Sequence, residues 1–164
     1  VQTCALPICD FTLHYLMHCS RISISDTIFY HYSIDNESTM RSNADKKVLQ
    51  YIEAMNITSK YIEKQHENVQ LAFNDYILMH LNIACVRGIF CVNNKENYVK
   101  KIEHIKKIIN TPVFKDAIKK FHIKNNFSAR TLPVFFMKYK LVHIASIIYI
   151  VRAYQNYIYE KSRN

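Results

Sequence analysis

Hydrophobic residues return at helical spacing from Asp45 to the end of the chain, and that period constrains the fold more than any other feature. Val48, Ile52, Met55 and Ile62 share one face, with Ser59 among them. A second helix is expected over about 67–91, with Val69, Phe73, Tyr76, Ile77 and Leu81 on one side, until Asn93-Asn94 breaks it. A third starts near Lys95, with Val99, Ile102, Ile105 and Ile109 inward and Lys100, Lys101, Lys106 and Lys107 outward. Thr111-Pro112 interrupts it, because proline starts helices better than it continues them. A further helix is expected over 113–121, Asn125-Asn126 opens a loop, and one long helix spans about 130–160. The period therefore predicts about four to five helices over 45–164.

The last of these contains the ten-residue apolar run Val142–Val151, bounded by Lys140 and Arg152. A bilayer span needs about 20 residues, so the run is too short to cross. It suits a buried core helix or a helix lying on a membrane with lysines and tyrosines at the headgroups.

The N-terminal part reads differently. Leu13, Leu16 and Met17 mark a short amphipathic helix over 11–19, which also carries His14 and His18 at i and i+4. No third ligand is in view for that pair, so it reads as a surface pair. From Arg21 to Tyr32 the period shortens: Ile22 and Ile24 alternate with Ser23 and Ser25, and Ile28-Phe29-Tyr30-His31-Tyr32 follows Asp26-Thr27. Alternating β-branched and aromatic residues predict extended strand, one or two short segments around a turn. Residues 33–45 are polar and turn-rich, and read as loop.

Charge divides the chain unevenly. Residues 1–94 carry seven Lys/Arg against nine Asp/Glu, whereas 95–164 carry fifteen against four, so the formal +9 comes from the C-terminal portion. A basic half points to an anionic partner, a membrane surface or a nucleic acid. Lysine dominates it, with arginine only at 130, 152 and 163, and that disfavours nucleic acid, whose phosphates and bases draw arginine. Lys138, Lys140 and Arg152 are the candidate membrane-facing residues.

The sequence contains no glycine-rich phosphate loop, no H-E-x-x-H, no G-x-S-x-G and no acidic metal-binding triplet. Gly88 is the only glycine, which argues against an intact nucleotide-binding domain. Cys19, Cys85 and Cys91 form no C-x-x-C pair and read as reduced, mostly buried thiols.

The run FTLHYLMHCSRISISDTIFYHYSIDNEST over residues 11–39 resembles the end of the catalytic domain of bacterial inverting glycosyltransferases of family two, which have the GT-A fold. In that family a Glu-Asp pair precedes a helix of the type F-x-x-x-Y-L. A strand ending near L-Y-x-Y-R follows, then a loop with an S-x-T-like element. Phe11, Tyr15, Leu16, Ile22, Ile28, Tyr30, Tyr32, Ser38 and Thr39 would fill those places, with Tyr32 and Ser38 nearest the substrate. Ser33 stands where the family usually has Arg. The resemblance implies a parent enzyme that moves a sugar from a nucleotide-sugar donor, held by a divalent Mg or Mn ion on a D-x-D motif, to a polysaccharide or lipid-linked acceptor. An aspartate would deprotonate the acceptor hydroxyl. All of those parts would lie upstream, so no catalytic residue and no cofactor is expected within this chain.

The opening residues bear on that. Val1-Gln2-Thr3-Cys4-Ala5-Leu6-Pro7-Ile8 fits the codons GTT CAG ACG TGT GCT CTT CCG ATC, which resemble a common short-read sequencing adapter, and Cys9 would be a hybrid codon. Residues 1–9 are accordingly set apart as an artefact, with 10–44 as the edge of a catalytic domain and 45–164 as a helical accessory domain. The expected fold class is mainly α: a short helix and a strand or hairpin remnant of an α/β GT-A domain, then the helical region. The expected partners are the missing N-terminal part of its own catalytic domain and an anionic membrane surface, and the expected location is cytoplasmic, peripheral at the inner membrane face. A small, non-enzymatic, lysine-rich helical protein that binds nucleic acid or an anionic membrane is the alternative.

Overall fold

The computed structural model describes residues 5–28, 44–122 and 128–162. They form seven α-helices in the order α1 (Ala5–His18), α2 (Ala44–Ile62), α3 (Glu67–Ile83), α4 (Tyr98–Ile109), α5 (Pro112–Lys120), α6 (Leu132–Lys138) and α7 (Val142–Lys161), and no strand occurs among the described residues. The mainly α expectation holds, and each helix from α2 to α5 falls where the period places it.

A single rod organises the core. α3 runs without a break into a π-helical segment, Ala84–Ile89, in which the Phe90 N–H reaches back five residues to the Cys85 carbonyl at 2.8 Å. Around this rod pack α2, α4, α5 and α7, with α6 against α5 and α7 and with α1 against α2. Met55, Ile77, Leu81, Ile89, Ile105, Ile108, Phe114 and Val134 meet inside. Each contributes about 1.5–3 kcal/mol by leaving water. Gly88 is buried within the π segment.

Local chemistry explains the helix starts. The Asn97 side chain accepts the Lys100 N–H at 2.9 Å and caps α4. The His66 ring nitrogen accepts the Asn68 N–H at 3.3 Å at the start of α3. Pro112 opens α5, where its missing N–H costs nothing. Asn94, read as a breaker, closes the π segment: its amide donates to the Gly88 and Ile89 carbonyls, and its oxygen accepts the Glu96 N–H.

Five details differ from the expectations. The strand expected from Arg21 is not formed over 21–28, which carry no regular structure and bend at Thr27; 29–32 lie outside the described residues, as do the greater part of the 33–45 loop and Asn125-Asn126. Val99 is exposed rather than inward, because Tyr98 ties the first turn of α4 to α7, and Ile108 completes the buried stripe. Val69 is likewise exposed in the first turn of α3. Lys101 turns back from solvent and donates to the Asn94 carbonyl at 2.8 Å.

The fifth difference is that the helix expected over 130–160 is two helices. Lys140 has φ 62°, the left-handed region. The Leu141 N–H reaches the Phe136 carbonyl at 2.8 Å and the Lys140 N–H reaches the Met137 carbonyl at 2.9 Å. These are the paired bonds of a Schellman stop, with a lysine where glycine is usual. A side chain in that region costs roughly 1–2 kcal/mol. Lys140→Gly should therefore raise unfolding stability by about 1 kcal/mol, read as a higher urea midpoint with an unchanged slope; a lower midpoint would contradict the stop.

Candidate docking surface

α7 presents two chemically distinct sides. At 3.6 residues per turn, Val142, Ala145, Ser146, Tyr149 and Ala153 fall together and are buried. The inner face is small because three of its five residues are Ala or Ser, so α7 sits close to the core.

Two polar clasps hold that face. Tyr149, fully buried, donates its hydroxyl to the Asn82 side-chain oxygen at 2.7 Å, and the Asn82 amide donates to the Arg130 carbonyl at 3.0 Å. The Cys85 thiol neighbours the same tyrosine, whose hydroxyl hydrogen is committed to Asn82. Burial pushes the Cys85 thiol up to about 12 from its ordinary 9.0. Burial, and then the neighbouring Cys85, push Tyr149 well above the usual phenol range. Both groups stay neutral at physiological pH, and the network is a structural latch.

The second clasp joins α4 to α7. Ser146 donates to the His143 carbonyl at 2.7 Å, so its oxygen is free to accept from the Tyr98 hydroxyl at 2.8 Å. The His143 Nδ1 then donates to the Tyr98 oxygen at 3.0 Å, an assignment that satisfies every atom.

The opposite side of α7 faces solvent. Ile144, Ile147, Val151, Tyr154 and Ile158 are exposed there, with Ile150, Tyr157 and Tyr159 exposed on its flanks. The core reading of the 142–151 run is thus true of one side only. Of the three residues expected to face a membrane, Lys140 is exposed at the foot of α7. Lys138 and Arg152 are half-buried, with their charged heads donating to the Phe121 and Ala129 carbonyls. The structure does not bring these three into one outward patch.

Tyr32 and Ser38, the substrate-proximal residues of the resemblance, lie outside the described residues. His14 and His18 are absorbed locally: the His18 ring nitrogen pairs with the His14 carbonyl at 2.8 Å, and the His14 ring meets Tyr61 edge-on at 3.8 Å. His80, buried beside the Tyr76 carbonyl, is held below its ordinary pKa by burial. Among the described residues no three His, Cys, Asp or Glu side chains gather, so they offer no seat for the divalent metal of the resemblance.

No family model, no curated protein and no solved structure matches this chain. Its functional reading rests on its own residues.

Proposed function

We propose that this chain is the C-terminal part of an inverting glycosyltransferase, transferring a sugar from a nucleotide-sugar donor to a polysaccharide or lipid-linked acceptor on the cytoplasmic side of the membrane, and that it is catalytically inert by itself. The observation that carries the reading is the segment after α1. Ile22, Ile24 and Ile28 lie two and four residues apart, a spacing that would align them on one face if the segment were drawn out as a strand. They are 62%, 95% and 74% exposed, with no strand beside them among the described residues. β-branched residues aligned in this way ordinarily cover a sheet, and a lone strand gains little in water. Phe11 and Tyr15, the F and Y of the resembling helix motif, are exposed too, while Leu13 and Met17 of the same helix pack on the helical core. A sheet supplied by residues upstream would cover both sets. It would also carry the Glu-Asp pair, which the motif order places just before Cys9; Asp10 sits too close to Phe11 to serve.

The test is the genomic DNA upstream of the Asp10 codon. The frame should continue into Glu-Asp and, further up, into a D-x-D motif following a parallel-strand pattern. A start or stop codon immediately upstream would refute the reading, as would turnover of a nucleotide sugar by the purified 164-residue chain.

A further inference from the structure

We infer that the outer face of α7 is a docking surface for an anionic lipid bilayer, with the helix lying flat in the headgroup region. The inference rests on α7 alone and stands whether or not the glycosyltransferase reading does.

Ile144, Ile147, Val151, Tyr154 and Ile158 recur at spacings of three, four, three and four, on the side of the helix directly opposite the buried residues. Ile147 is 59% exposed and Val151 51%, so this is open surface rather than the edge of the core. Over about 20 residues the helix is roughly 30 Å long, and the apolar strip runs along most of it. Scattered exposed hydrophobics need no explanation, but a continuous strip of this kind does.

The spacing alone would also admit a second helix, and the flanks decide between the two. In a coiled coil the positions beside the seam usually carry complementary charges. Here they are His143, Ile148, Ile150, Gln155 and Tyr157, with no acid among them. Exposed Ile150 and Tyr157 make the apolar arc wider than a two-residue seam. That width wastes surface against a single helix and suits a plane.

Charge points the same way. Residues 128–162 carry Arg130, Lys138, Lys140, Arg152 and Lys161 against one acid, Glu160. A second copy would bring a formal +9 against +9, whereas an anionic surface attracts both. Lys140 and Lys161 stand exposed at the two ends of the strip, and the tyrosines cluster where an interfacial helix places amphipathic rings. Among the described residues no helix is long and apolar enough to cross a membrane, so the contact available to α7 is along the surface.

Vesicle sedimentation tests this with the whole chain. It should pellet with phosphatidylcholine vesicles containing phosphatidylglycerol and much less with phosphatidylcholine alone. The double variant Ile147→Ser/Val151→Ser should lose at least about tenfold in partitioning, with an unchanged melting temperature because neither residue belongs to the core. If that variant melts early, Ile158→Ser reads the same strip from its exposed last turns. Lys140→Gln and Lys161→Gln should each weaken binding several-fold at low salt. The proposal fails if the chain ignores anionic vesicles, binds neutral ones equally, or binds undiminished when the strip is made polar. It also fails if the lipid-free chain is a dimer that Ile147→Ser/Val151→Ser dissociates.

Discussion

Tyr149→Ala should be among the most damaging single truncations in the chain, lowering unfolding stability by about 4 kcal/mol or more in urea titrations followed by far-ultraviolet circular dichroism. The tyrosine is fully buried between α7 and the α3 rod, with its ring stacked on Phe90 at 6.1 Å between centroids. Removing it opens a ring-sized cavity and strands the Asn82 oxygen that accepts its hydroxyl. Tyr149→Phe isolates the second effect and should cost about 1–2 kcal/mol, since the ring remains but a buried acceptor loses its donor. Combining Tyr149→Phe with Asn82→Ala should cost less than the sum of the two, because the orphaned acceptor goes with the second change. Strict additivity would mean that the two groups do not meet. The latch also links α7 to the segment before α6, through the Asn82 amide on the Arg130 carbonyl. Loss of Tyr149 should therefore loosen both ends of the α6–α7 hairpin at once.

The positions of α2 to α5 were legible because their signals are local: an apolar period, the break at Asn93-Asn94 and a proline at the first turn of α5. The division between α6 and α7 was not legible. It depends on a left-handed residue, and the chain spends a lysine there in place of the glycine that would have announced it. Ile22, Ile24 and Ile28 show the opposite case, a clear strand pattern over a segment that forms no strand. Periodicity reports which face of a segment wants burial, whereas a ladder also needs a neighbour, and no local pattern can supply one. The ten-residue run of α7 hid its two faces because both are apolar; only the packing tells Tyr149, locked inside, from Ile147 and Val151, left outside. Asn82 and Cys85 carried no sequence signal as a pair with Tyr149, since 67 residues separate the hydrogen-bonded ends.

Cys85 gives the second large effect. In the folded chain it should react with iodoacetamide near pH 8 roughly a thousandfold more slowly than in the urea-unfolded chain. The thiolate is the reactive form, and a shift from 9.0 to about 12 removes about three decades of it. Burial of the sulfur adds to that protection. Trypsin cleavage after Arg87 separates Cys85 from half-buried Cys91, so peptide mass spectrometry reads the two thiols independently. Comparable labelling of Cys85 in folded and unfolded protein would contradict the latch. The same shift fixes a pH dependence. Below pH 9.0 the thiol is protonated in both folded and unfolded states, and its contribution to stability is constant. Above it the unfolded chain releases the proton while the folded one retains it, so stability should fall as pH rises from 9.0 toward about 12. Cys85→Ala should flatten that alkaline decline while lowering stability at neutral pH, because it removes the titrating group and leaves a gap where a fully buried side chain packed. A decline equally steep in the variant would move its cause to other groups and sever the thiol from the alkaline transition.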